Sequence, residues 1–229
     1  MLTIYDSTTN SFSNLGLGIL KDYITNPIIT EVLNGEFILE FEYAVNGQNN
    51  EHLVEGNVIK ANGQLFRIWT IKKTVDNINV LAKHVFFDLS KNYLEDVAPT
   101  EQTAQGAIQW ILERTANANQ FTVKGDCTLQ ASARYVRMDP ITAIYSADNA
   151  LLERFGGELE LDNFSIKVHQ KRGSNTGLII RYGKNLSGVE YNLDFSTVAT
   201  RVMPQGANEL LLPENYVDSE LLTNYFIPF

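Results

Sequence analysis

The chain has 229 residues, 44% of them hydrophobic and 20% charged, and its 18 Lys and Arg against 27 Asp and Glu give a net charge of −9. That balance excludes a surface built to grip DNA or an anionic membrane, which needs clustered cations; the nearest cluster, Lys171, Arg172, Arg181 and Lys184, is too sparse. Cys127 is the single cysteine, no apolar run reaches the roughly 20 residues of a membrane span, and "MLTIYDSTTN" lacks the regions of a secretion signal, so the reading is a soluble, cytoplasmically made protein without intrachain disulfides.

Strand signals fill the first ninety residues. "EFILEFEYAVNG" sets Phe37, Leu39, Phe41, Tyr43 and Val45 on one face and Glu40 and Glu42 on the other, a strand with one buried side, ending in a turn at Asn46-Gly47. Asn62-Gly63 lies between two apolar runs, the strongest short hairpin signal, and Asp76-Asn77 marks a further turn. Residues 1–91 therefore read as a β-meander, the first part of a barrel or sandwich.

The middle changes period. In "TAQGAIQWILERT", Ala104, Ala107, Ile108, Ile111 and Leu112 fall at helical spacing. "DPITAIYSADNALLERFGG" predicts a second helix, with Asp139 as N-cap, Pro140 at the first position and Gly156-Gly157 as the stop. Between them "QFTVKGDCTLQASARYVRM" reads as short strands, and "GELELDNFSIKVHQKRG" as a hairpin turning at Asp162-Asn163. Residues 92–176 are thus an α+β module inserted in a β framework, and residues 177–229 return to strands, with Gly183 and Gly188 at turns or bulges.

"GLIIRYGKNLSG" looks like a phosphate loop but misses the pattern. Five residues separate Gly177 from Gly183, Asn185 stands where Ser or Thr belongs, and strand composition follows where a helix must open. His52, His84 and His169 lack metal-ligand spacing. Cys127 with His84 or His169 is a conceivable nucleophile and base, set against the plainer reading of a small buried thiol. Glu40 with Glu42 and Glu158 with Glu160 are pairs of carboxylates, each better read as a solvated strand face. Trp69 and Trp110 read as core or interface material. No catalytic, cofactor-binding or metal residue is assigned.

Three segments, "ITEVLNGEFILEFEY", "LLERFGGELELDNFSIKV" and "GLIIRYGKNLSGVEYNLDFSTVATRV", together resemble the N-terminal hub region of phage and prophage tail proteins, variously called prophage endopeptidase tail, phage minor structural protein or tail-associated lysin. The resemblance implies a mainly β fold of baseplate-hub-like β-barrel domains with an α+β insertion. It also implies a virion structural protein at the tail tip, a homotrimeric ring joining the tail tube to tip or fibre proteins, which DNA crosses without specific binding. In that family lytic activity lies downstream, so the resemblance implies no enzyme and no cofactor in this region, with "IRYGKNLSG" as strand, tight turn and strand. Two other classes stay open: a tail-associated cell-wall hydrolase of cysteine peptidase type, and a carbohydrate- or receptor-binding β module.

Overall fold

Alternation of apolar and polar residues builds the first sheet. Its strands are β1 (Leu2–Tyr5), β2 (Gly18–Leu20), β3 (Ile28–Glu31), β4 (Phe37–Ala44), β5 (Val58–Ala61), β6 (Gln64–Lys73) and β7 (Asn77–His84), in the antiparallel order β2-β1-β5-β6-β7-β4-β3. The computed structural model describes residues 1–146, 149–192, 198–206 and 209–224, which divide into two units, Met1–Ser174 and Asn175–Phe229.

The sheet curls until its ends meet. β2 pairs with β1 at one end, and just beyond it Tyr23 bridges to Tyr43 of β4 near the other, with Ile24 N–H donating to the Glu42 carbonyl at 2.9 Å. One short segment thus joins both ends, which gives the barrel character expected from the sequence. Phe37, Leu39, Phe41 and Tyr43 point inward, facing Ile78, Val80 and Ala82 of β7. The Asn62-Gly63 hairpin takes φ of 48° and 81°, both left-handed, as a two-residue turn matched to strand twist requires. At Asn46-Gly47 the chain also turns, but the left-handed residue there is Asn49, at φ 64°.

The remainder of the first unit follows a 3-10 segment at Val85–Lys91. It comprises β8 (Leu94–Val97), β9 (Gln102–Thr103), α1 (Ala104–Leu112), β10 (Thr122–Gly125), β11 (Gln130–Ala131), β12 (Tyr135–Met138), α2 (Pro140–Tyr145), α3 (Leu151–Phe155), β13 (Glu158–Asp162) and β14 (Ser165–His169). All five apolar positions predicted for α1 are buried, and Thr103 caps it by accepting from Gly106 N–H. The helix predicted after Asp139 is two helices: Asp139 does cap α2, but Asn149 at φ 58° turns left-handed before α3 starts. Ser146 and Asn149 favour local turn bonding over helix, which accounts for the break. Gly156 and Gly157, at φ 71° and 103°, stop α3 as expected.

One apolar core runs from Leu2 through Phe86, Ile108 and Phe155 to Val168, crossing the boundary drawn at residues 91 and 92 in the sequence. The division between units falls between Ser174 and Asn175. In the second unit β15 (Arg201–Val202) pairs with β16 (Val217–Asp218), clamped by Arg201 on both Asp218 oxygens. The strands expected around "RYGKN" are absent among described residues 177–192. There Tyr182 and Leu186 form an isolated bridge about Gly183, at φ 76°, because Arg181, Lys184 and Asn185 bond among themselves as a turn. Part of the predicted strand that follows, residues 193–197, lies outside the described residues.

Candidate assembly surface

The residues offered by the sequence as a cysteine nucleophile and its base are dispersed by the fold. Cys127 follows β10 with its side chain turned into the core, where Sγ meets the Val168 carbonyl at 3.9 Å rather than a histidine ring. Burial, and after it the charge of Asp126, pushes the thiol pKa up, which is the opposite of activation. His84, fully buried, stacks on Phe37 at 4.7 Å; its Nδ1 accepts from Phe86 N–H and its Nε2 lies 3.2 Å from Gln64 Oε1. His169 spends its Nε2 on Glu160 at 2.9 Å. A thiol so placed should react slowly with an aromatic disulfide reagent in native protein and fast in urea. Equal rates in both, read by absorbance, would show that Cys127 lies in an open cleft.

Of the two carboxylate pairs, Glu40 and Glu42 stay together on the outer face of β4, while Glu158 and Glu160 are drawn to different partners. Glu160 holds Lys167 at 2.7 Å and His169 at 2.9 Å across the β13–β14 hairpin, and these hydrogen bonds lower its pKa. Glu158 instead accepts from the backbone N–H of Arg172. In the "RYGKN" turn the N–H groups of Arg181, Lys184 and Asn185 are all taken up internally, so none converges on an anion. Among the described residues no three His, Cys, Asp or Glu side chains gather as a metal site. Tyr182 and Tyr191, both highly exposed in the second unit, make no ring-to-ring contact among the described residues.

What the fold does organise is the outer face of the barrel. The register between β6 and β7 slips between Ile68 and Thr70, so Trp69 is the extra residue of a β-bulge. Its half-buried ring takes Lys83 Nζ at 4.2 Å and Lys91 Nζ at 5.1 Å from its centre. Two strands away, β4 presents Glu40 and Glu42, which line a groove of about 370 Å³ with Ile28, Lys72, Asn79 and Leu81. Strand alternation in the sequence places these side chains outward, but the slip at Trp69 carries no sequence signal, so the Trp–Lys arrangement could not be read in advance. Beside the groove β3 is an edge strand, with Ile24, Ile28, Val32 and Leu33 exposed along and around it.

A mainly β protein with a curled barrel sheet, a packed α+β module and a decorated outer face is the class that fold and surface define. Residues 2–87 match the family of the prophage endopeptidase tail N-terminal domain, so the resemblance to phage and prophage tail proteins read in the sequence holds for this stretch. The fold is shared with prophage tail protein gp18 from Listeria monocytogenes, at TM-score 0.68 and 16% identity, covering 99% of this chain and 69% of that one. A weaker likeness, at TM-score 0.41 and 12% identity over 67% of this chain and 49% of the other, is to the E. coli c3393 protein, a component of the type VI secretion system. No curated protein matches the chain by sequence.

Proposed function

We propose that this chain is the hub region of a phage or prophage tail tip, a structural ring component that joins the tail tube to tip or fibre proteins. The observation that carries the reading is the family match over residues 2–87, which falls on the barrel strands through β7. Supporting it, Cys127, His84 and Glu160 are engaged elsewhere: a buried thiol, a buried neutral imidazole and a hairpin carboxylate in an ion pair. The working form is a homotrimer made in the bacterial host cytoplasm and carried in the virion tail, where contacts between unlike faces of successive copies close the ring. A net charge of −9 suits a passage that DNA crosses without sticking, since like charge disfavours phosphate binding. No catalysis or membrane contact belongs to this region.

Electron microscopy of tails that carry the full-length protein should place three copies of this chain around the axis at the tip. Six copies, or a peripheral position on a fibre, would overturn the assignment. Purified protein should leave peptidoglycan intact in a turbidity assay; clearing that is lost in Cys127→Ala would turn the reading to a hydrolase.

A further inference from the structure

Two hairpin turns meet over His84, the one histidine that is fully buried. The β5–β6 turn brings Gly63 and Gln64, the β13–β14 turn brings Asp162 and Asn163, and the pairs they form lie 98 to 100 positions apart in the chain. Gln64 Oε1 accepts from Asn163 N–H at 2.9 Å, Gln64 Nε2 donates to Asp162 Oδ1 at 3.2 Å, and Asn163 Nδ2 donates to the Gly63 carbonyl at 3.1 Å. The imidazole joins the same group. Because its Nδ1 accepts from Phe86 N–H at 3.3 Å, its one proton sits on Nε2, which donates to Gln64 Oε1 at 3.2 Å.

The ring is closed in unevenly. Phe37 stacks on it at 4.7 Å, Phe66 meets it edge-on at 5.8 Å and the Phe86 backbone occupies Nδ1, all of them buried. At Nε2 the cover is Gln64 and the Asp162–Asn163 turn, whose residues are half-buried or exposed. Deeper in the hairpin, Leu159, Ile166 and Val168 belong to the core, so lifting the tip leaves them in place. Of the charged side chains on the elements around the ring, Asp162 is the one that acts on it, and less than burial does. Arg67 of β6 and Asp88 of the 3-10 segment hold each other at 2.8 Å, Lys83 and Lys91 lie over Trp69, Glu40 and Glu42 line the outer groove of β4, and Glu36 before it is exposed.

We propose that these groups form an acid-released latch: a second proton on His84 opens the contact between the two turns while the barrel and the rest of the hairpin stay folded. With both ring nitrogens protonated, Nδ1–H and Phe86 N–H are two donors set against each other, and a cation lies between aromatic rings with no carboxylate bonded to it. Lifting the turn at Nε2 is the least costly way to bring water to that charge, since the other sides are core. A ring in water takes up its second proton as the pH falls through 6.5, whereas the latched ring, kept neutral by burial, does so only at about 4. The open form therefore binds more protons across that window, and it gains on the latched form about tenfold per pH unit, roughly 300-fold in all. Neutral pH keeps the turns together, and acid alters the surface that the β13–β14 turn presents. The latch goes beyond the hub reading and does not depend on it.

The test is amide exchange read by NMR on the 229-residue protein between pH 6.5 and 4.5. Protection of the Asn163 N–H, relative to an unstructured chain, should fall about tenfold per pH unit and be indifferent to low urea, the mark of a local opening. The amides that pair β4 with β7 should stay better protected throughout and lose protection as urea rises, because they exchange by unfolding. In His84→Gln the protection of Asn163 should no longer follow pH. Wild type alone gives a second readout: the ring nitrogens of His84 should report the neutral Nε2–H form for as long as Asn163 is protected. A doubly protonated ring beneath a protected Asn163, protection that holds down to pH 4.5, or Asn163 and the β4–β7 amides exchanging at one urea-dependent rate each overturns the proposal. So does a pH dependence that persists in His84→Gln.

Discussion

Lowering the pH from 7.5 to 5 should destabilise the first unit by about 2 kcal/mol through His84 alone. Burial pushes the pKa of this imidazole down from 6.5 to about 4, against a smaller upward pull from Asp162. The unfolded chain therefore takes up a proton as the pH falls through 6.5, while the folded chain stays neutral until about 4. Unfolded protein binds more protons in that window, so stability rises with pH across it and is fully present above 6.5; at about 1.4 kcal/mol per pKa unit, most of the difference is spent by pH 5. Geometry agrees, because Nδ1 accepts from Phe86 N–H and a second ring proton would set two donors against each other. Asp88, which burial holds above the usual carboxylate range despite Arg67, acts in the opposite sense, so the comparison is with His84→Gln. Urea midpoints between pH 4.5 and 7.5 should slope steeply in wild type and much less in the variant. Equal slopes would mean that His84 is not the titrating group.

How much of this was legible follows from what each signal depends on. The buried face of β4, the left-handed Asn62-Gly63 turn and the five core positions of α1 are local patterns, set by period and turn chemistry, and all are where the sequence puts them. Features that depend on pairing were not legible. Residues 18–24 carry no clean alternation, yet they join the two ends of the sheet. The bulge at Trp69 comes from a register slip that only the partner strand defines. Continuous helical composition across Ser146 to Ala150 hid a break imposed by a left-handed asparagine. Composition likewise suggested a module distinct from the barrel at residue 92, whereas one core spans both. For the candidate site, sequence supplied the residues, Trp69, Glu40 and Glu42 among them, but not which cations the fold leaves unpaired.

Replacing Asn34 should loosen the attachment of the β13–β14 hairpin to the barrel, and with an unusual order of severity. Asn34 sits in the β3–β4 turn and works as a one-residue strand. Its Nδ2 donates to the Gly157 carbonyl at 2.9 Å and its Oδ1 accepts from Leu159 N–H at 2.8 Å, covering the otherwise open edge of β13. Nearby, Arg172 donates to the Leu159 carbonyl at 2.9 Å and to Glu31 at 2.8 Å, so the same edge is tied down twice. Cutting both Asn34 bonds strands the Leu159 donor against the barrel, a loss of about 2 kcal/mol. Asn34→Gly removes only those bonds, since glycine accepts the φ of 51° found there. Asn34→Ala adds the left-handed strain of a Cβ, about 1 kcal/mol more. Alanine normally stabilises relative to glycine by reducing unfolded-chain freedom, so the expected ranking, wild type above glycine above alanine, reverses that preference. Urea unfolding of the three proteins at constant slope measures it. An alanine variant as stable as the glycine variant would show that the turn relaxes out of the left-handed region, and a wild-type-like glycine variant would show that the hairpin holds its edge without Asn34.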